Sequence, residues 1–343
     1  MVRPGVPYGL RDGARAVRAL TRRRVVRGAC AALVVLGLLA WWLLPGGSPA
    51  PSGNVTFATG VPTGVYARYG TLLQQRLGRD APDLDMGLKA SEGSVENIEM
   101  VVSGEADFTI AQSDAVADYV DGGGEGADRL SACARLYDDY VQLIVPADSP
   151  VRSARDLKGL RVGMGEERSG VSLVAGRLLQ AAGLNRKKDL HEVPIGIDRM
   201  PALLADGKLD AFLWTGGLPT TAIEQLAEKT RIRLVQLGDL VPRLQRMEPE
   251  TRHYRPAVMP ADAYPAVQQG EPVNTVAVSN LLVTTDRTDA EVAEALTRSL
   301  INSRDQIGNE VHAAQKVDLR TAIYTDPLPL HEGAERYYRA VKP

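Results

Sequence analysis

From Asn54 to the C-terminus, short apolar runs alternate with longer amphipathic ones. That alternation confines the chain to an α/β sheet with helices on its faces. Residues 54–59 predict a strand, and 65–77 a helix with Leu72, Leu73 and Leu77 on one face. Strands are expected at 86–90, 107–112, 140–145, 160–163, 211–214, 233–237 and 275–284, and helices at 95–102, 171–182, 200–205, 220–228 and 290–302. Gly183 suits the left-handed residue that ends a helix. No repeat of 20–50 residues is present.

The connections carry the chemistry. Four turns link a strand end to a helix start: residues 60–66 (GVPTGVY), 91–97 (SEGSVEN), 165–172 (GEERSGVS) and 215–221 (TGGLPTT). Each is small, contains glycine and bears hydroxyls. The first N–H groups of a helix lack intrahelical partners, and the helix dipole adds about half a positive charge there. Such a terminus holds a carboxylate or phosphate without arginine. Ligands of open α/β sheets sit beyond the C-terminal strand ends. Two such turns in each half suit a small anion gripped between two lobes.

The first 52 residues have a different composition. They hold eight arginines and one acid, a net of +7, which leaves about −9 on residues 53–343 out of the total of −2. An acidic body excludes nucleic acid as partner, because phosphate neutralisation needs a basic surface. Residues 1–27 form a basic region, 28–45 an apolar run ending in Trp41, Trp42, Leu43 and Leu44, and 46–53 a Pro/Gly/Ser linker. Arginines on one flank only orient the segment with that flank in the cytoplasm. A cleaved signal peptide finds small residues at Ser48 and Ala50, but Pro51 disfavours the cut. An uncleaved signal anchor is the alternative. Either places the body outside the cytoplasm, tethered to the cell membrane in the second case. Cys30 and Cys133, the two cysteines, allow no disulfide scaffold. Cys133 is expected to be a small buried apolar residue.

Catalysis finds no support. His191, His253, His312 and His331 have no metal-ligand spacing, no G-x-S-x-G elbow or P-loop occurs, and Gly163, Gly165 and Gly170 miss the dinucleotide fingerprint. The expectation is a protein that is not an enzyme, with no cofactor and no metal.

An ordered series of segments resembles the TAXI family, the solute-binding subunits of one class of tripartite ATP-independent (TRAP) transporters. It comprises residues 64–66 (GVY), 93–97 (GSVEN), 103–107 (SGEAD), 112–114 (QSD), 136–137 (LY), 156–162 (DLKGLRV), 168–170 (RSG), 206–211 (DGKLDA), 217–219 (GLP) and 329–338 (PLHEGAERYY). The resemblance implies a two-lobed, type II periplasmic-binding-protein-like fold, with residues 54–140 and 245–343 in lobe 1 and 141–244 in lobe 2. It implies an extracytoplasmic protein that captures a small carboxylate or amino acid and delivers it to TRAP membrane subunits. A membrane-tethered ligand sensor feeding a sensor kinase is the alternative. Carried over residue by residue, Gly64, Tyr66, Ser94, Asn97, Gln112 and Ser113 wall the first lobe, and Ser169, Gly170, Gly217 and Pro219 the second. Tyr66 is expected to donate to the carboxylate. The sequence departs from the family at Glu92, Arg168 and Trp214. Glu92 suits a ligand ammonium; Arg168 supplies positive charge to the site or pairs with Glu166 or Glu167.

Overall fold

Strands one turn apart in sequence lie side by side because each intervening helix folds back across the sheet. In the computed structural model, which describes residues 33–35, 51–247 and 249–342, this produces a 10-stranded mixed sheet. The leader regions 1–27, 28–45 and 46–53 lie outside the described residues apart from 33–35, which are helical and exposed, and 51–53. Among the described residues no helix is long and apolar enough to cross a membrane.

The first half runs β1 (Gly53–Ala58), α1 (Val65–Asp80), β2 (Leu84–Lys89), α2 (Ser94–Ser103), β3 (Phe108–Gln112), α3 (Ser113–Asp121) and β4 (Leu130–Pro146). Helix α1 buries Tyr69, Leu72, Leu73 and Leu77, one stripe at helical spacing. Helix α2 ends at Gly104, whose φ of 84° is left-handed and costs glycine little. The second half runs β5 (Arg161–Gly163), α4 (Gly170–Ala182), β6 (His191–Val193), α5 (Met200–Ala205), β7 (Ala211–Gly216), α6 (Thr221–Lys229) and β8 (Ile232–Val235). There follow α7 (Val241–Leu244), β9 (Arg255–Met259), α8 (Pro265–Gln268), β10 (Val273–Thr285), α9 (Ala290–Gly308) and α10 (Glu332–Val341).

The strand order is β2-β1-β3-β10-β4-β7-β5-β6, with β8 also on β4 and β9 on β10. Strands β1, β2 and β3 are parallel to one another, as are β5, β6 and β7. The long strands β4 and β10 run antiparallel between these two sets and join the lobes. Up to Tyr140, β4 pairs with β10; from Tyr140 onward it pairs with β7. Alternate residues of a strand face opposite sides, so each lobe has a core on both faces. In one, Phe57, Leu73, Phe108, Leu282 and Leu296 pack together, while Ile98, Val101, Leu281 and Val283 fill the other side. In the second, Val141, Leu143, Val174 and Leu213 lie on one side and Ile144, Phe212, Trp214 and Ile223 on the other. Tyr254, Val276 and Val278 join the core of Val141, and Met259, Tyr264 and Val273 that of Ile144.

Strand β4 starts at Leu130, ten residues before the expected Tyr140. Arg135 and Asp138 interrupt its apolar run; they pair at 3.0 Å, and the register against β10 shifts between them before the pairing resumes. Helix α3 follows β3 with no loop, and α10 packs on α9 at the C-terminus. His331 caps α10, its Nδ1 accepting from the Gly333 N–H at 3.2 Å. Cys133 is a free, buried thiol.

Candidate ligand-binding site

Three of the four glycine-hydroxyl turns meet at the C-terminal strand ends, between the lobes, and the fourth reaches them with its first two residues alone. They enclose a cavity of about 60 Å³, well above the ~10–15 Å³ that one water needs. The start of α1 contributes Gly64, Val65 and Tyr66; that of α2, Gly93 and Ser94; that of α4, Ser169, Gly170 and Val171. The ends of β3 and β7 add Gln112, Trp214, Thr215 and Gly216, the last two opening the fourth turn, and the middle of β4 adds Asp139. No lysine or arginine is among the lining residues.

The helix starts are prepared in different ways. Ser169 caps α4 by accepting from Ser172 N–H at 3.1 Å, while the N–H groups of Gly170 and Val171 find no acceptor among the described residues. Ser94 N–H is likewise open, while Ser94 Oγ accepts from Gln112 N–H at 3.1 Å and donates to the Tyr66 hydroxyl at 3.3 Å. Thus two helix starts, one from each lobe, present N–H groups to the same space. The lobes touch here. Glu96 N–H donates to the Arg168 carbonyl at 3.1 Å, and Arg168 N–H to Glu92 Oε2 at 2.8 Å. Glycine is required at this contact. A Cβ on Gly93, whose φ is 139°, would lie 3.2 Å from Ser169 Cα, and one on Gly170 would lie 2.2 Å from Gln112 Oε1.

Six of the residues expected at the site line the cavity: Gly64, Tyr66, Ser94, Gln112, Ser169 and Gly170. The other five stand elsewhere. Asn97 is fully buried and donates to the carbonyls of Thr59 and Ile110, which ties the start of α2 to the sheet. Ser113 is buried against Ser279, their hydroxyl oxygens 3.0 Å apart. Arg168 points away and pairs across the lobes with Glu96 at 3.0 Å and with Glu99, not with Glu166 or Glu167. Gly217 and Pro219 line a neighbouring hollow with Thr63 and Arg68. Pro219 sits just before the Thr220 cap of α6, after a cis peptide bond.

Two expected roles change. The Tyr66 hydroxyl already donates to Asn280 Oδ1 at 2.5 Å, so its ring walls the cavity while its proton is committed. Glu92 accepts from Arg168 N–H, and Glu166 Oε1 from Gly196 N–H at 2.9 Å, so backbone donors occupy both acids. The residue unforeseen from the sequence is Asp139. It is 2% exposed, accepts from Gln112 Nε2 at 2.9 Å through Oδ2, and leaves Oδ1 without a partner. Burial raises its carboxyl pKa to about 6, against the opposing influence of the Gln112 and Asn280 amides. Among the described residues, no group of three or more His, Cys, Asp or Glu can hold a metal ion.

Solved structures share the architecture at low identity. A periplasmic transporter is 16% identical, with a TM-score of 0.51 over 85% of this chain and 93% of that one. The aliphatic sulphonate binding protein SsuA from Escherichia coli is 14% identical, covering 84% and 79%, with a TM-score of 0.47. A putative L-cystine ABC transporter protein from Listeria monocytogenes is 14% identical, covering 77% and 98%, at 0.48. The fold is therefore the two-lobed periplasmic-binding-protein type. A sequence profile of the NMT1-like family matches residues 57–341, and the chain belongs to that family.

Proposed function

We propose that this protein is an extracytoplasmic solute-binding protein. It closes two lobes round a small carboxylate-bearing solute and delivers it to the membrane subunits of a transporter. The observation that carries this is the convergence of the α2 and α4 starts, one from each lobe, on a small cavity lined by no cationic side chain. Helix-start amides take the place of an arginine there. The ordered motifs shared with the TAXI family support a TRAP-type transporter as recipient. The lobes divide near Tyr140, and the segment from Tyr254 to Val278 packs with the second one. The arginine-flanked apolar leader supports tethering to the membrane. No bond-making step is assigned to the cleft, since binding and release by hinge motion suffice for delivery.

A thermal-shift screen of C4–C6 carboxylates and amino acids on the full chain in mild detergent tests this. A ligand at one hundred times its Kd stabilises by about 2.7 kcal/mol, which raises the melting temperature by several degrees. No shift with any member of such a panel would remove the assignment.

A further inference from the structure

Two buried acceptors at the cavity lack donors. Asp139 Oδ1 and Gln112 Oε1 both belong to residues 2% exposed, both residues line the cavity, and neither atom has a hydrogen-bond partner. The Gln112 amide is oriented by its Nε2 bond to Asp139 Oδ2, because an amide oxygen facing an ionised carboxylate would be repelled. Its oxygen is therefore turned away from that bond. Buried polar atoms are nearly always paired, and an unpaired carboxylate oxygen is the costliest kind to leave.

The donors that might satisfy them inside the protein are committed elsewhere. Tyr66 donates to Asn280, and the Asn280 amide, 3.4 Å from the Tyr137 carbonyl, also stands beside Asp139 and stabilises its ionised form without closing a hydrogen bond to Oδ1. Glu92 and Glu166 are themselves acceptors. The open helix-start amides lie close by: a Cβ on Gly170 would fall 2.2 Å from Gln112 Oε1 and 2.9 Å from Ser94 Oγ. Acceptor subsite and amide subsite are thus adjacent in one small cavity. We propose that the solute is an α-amino acid, its ammonium held by Asp139 Oδ1 and Gln112 Oε1 and its carboxylate by the N–H groups of Gly170 and Ser94. This rests on the cleft being the binding site, and it names the class of ligand.

The groups around Asp139 make the alternative distinguishable. Asp138 on its own strand and Asp114 on α3 add negative charge, Tyr66 and Tyr137 contribute neutral phenols, and Glu92 and Glu166 line the same cavity. An ammonium needs Asp139 ionised, so binding weakens as pH falls through about 6. A solute that is only an anion needs Asp139 to take up a proton, and its binding strengthens over the same interval.

The test titrates the full chain in detergent by calorimetry with matched pairs: L-alanine and propionate, L-leucine and 4-methylpentanoate, L-glutamate and glutarate. We expect at least one amino acid to bind ~10–100-fold more tightly than its partner, as for hydrogen bonds to a charged group. Its affinity should fall between pH 7.5 and 5. Asp139→Asn should remove most of the preference while retaining the far-ultraviolet spectrum. Partner acids binding as well as the amino acids, or affinity rising on acidification, overturns the ammonium assignment and leaves a carboxylate-binding cleft. Binding by no member of either series overturns the solute-binding reading as well.

Discussion

Asp139 shows what a single residue contributes when fold and function pull apart. Its folded pKa of about 6 lies above the 3.8 of an ordinary aspartate, so the folded state holds a proton more tightly than the unfolded one. Ionised Asp139 therefore costs stability. The cost is complete above pH 6, shrinks as pH falls through that value, and vanishes below about 4; integrated, it is on the order of 3 kcal/mol. Asp139→Asn should accordingly raise the melting temperature of the ligand-free protein at pH 7.5 by several degrees, with the gain fading by pH 4.5. A variant less stable than the parent at both pH values would mean that the carboxylate is structural. Sequence gave little access to this residue. In the pair Asp138-Asp139, neighbours on a strand point to opposite sides, and Asp138 takes the outward one, beside Arg135 and Arg255. A strand expected only from Tyr140 leaves the pair outside it, and paired acids are usually solvated, so nothing in the sequence singles out the inward member. Gln112, by contrast, closes a recognisable strand and was foreseen.

At the scale of elements, the helix starts were the most legible part. Glycine and hydroxyl residues at residues 93–94 and 169–170 have a backbone reason to be there. Less legible was which turn faces the cavity. The fourth turn resembles the others in composition, yet its Gly217 carbonyl accepts from the Thr220 hydroxyl at 2.9 Å, and beyond Thr215 and Gly216 its residues line the adjacent hollow. Local sequence specifies a helix cap and not the tilt of the helix that carries it. Gly170 tests the role of the paired starts. Its own conformation is not left-handed, so alanine fits α4, but the added methyl would meet Gln112 and Ser94 of the opposing lobe. Gly170→Ala should lower ligand affinity by about 5- to 150-fold, as overpacking typically costs ~1–3 kcal/mol. The ligand-free melting temperature should change by less than about 2 °C. Equal losses in both would place Gly170 in the core of its own lobe.

Over the whole molecule, two of the ionic contacts between the lobes differ in burial, and that assigns them different work. Near the strands that connect the lobes, Arg177 of α4 reaches Asp118 at 2.6 Å and Asp114 at 3.5 Å, and Tyr254 donates to Asp114 at 2.6 Å. Arg177 is 5% exposed and Asp114 wholly buried, so removing one partner strands a charge at a cost of ~3–5 kcal/mol. At the mouth of the cleft, Arg168 pairs with Glu96 and Glu99 through a side chain that is 44% exposed. Exposed pairs of this kind contribute ~0.2–1 kcal/mol each. That is too little to hold a fold, yet enough to tilt a balance between open and closed forms. Arg177→Ala should therefore lower the melting temperature markedly. Arg168→Ala should leave it nearly unchanged, weaken ligand binding about two- to fivefold, and enlarge the ligand-free radius of gyration in solution scattering. Similar melting losses in the two variants would show that the mouth contact is part of the folded core, and closure would then rest on the ligand alone.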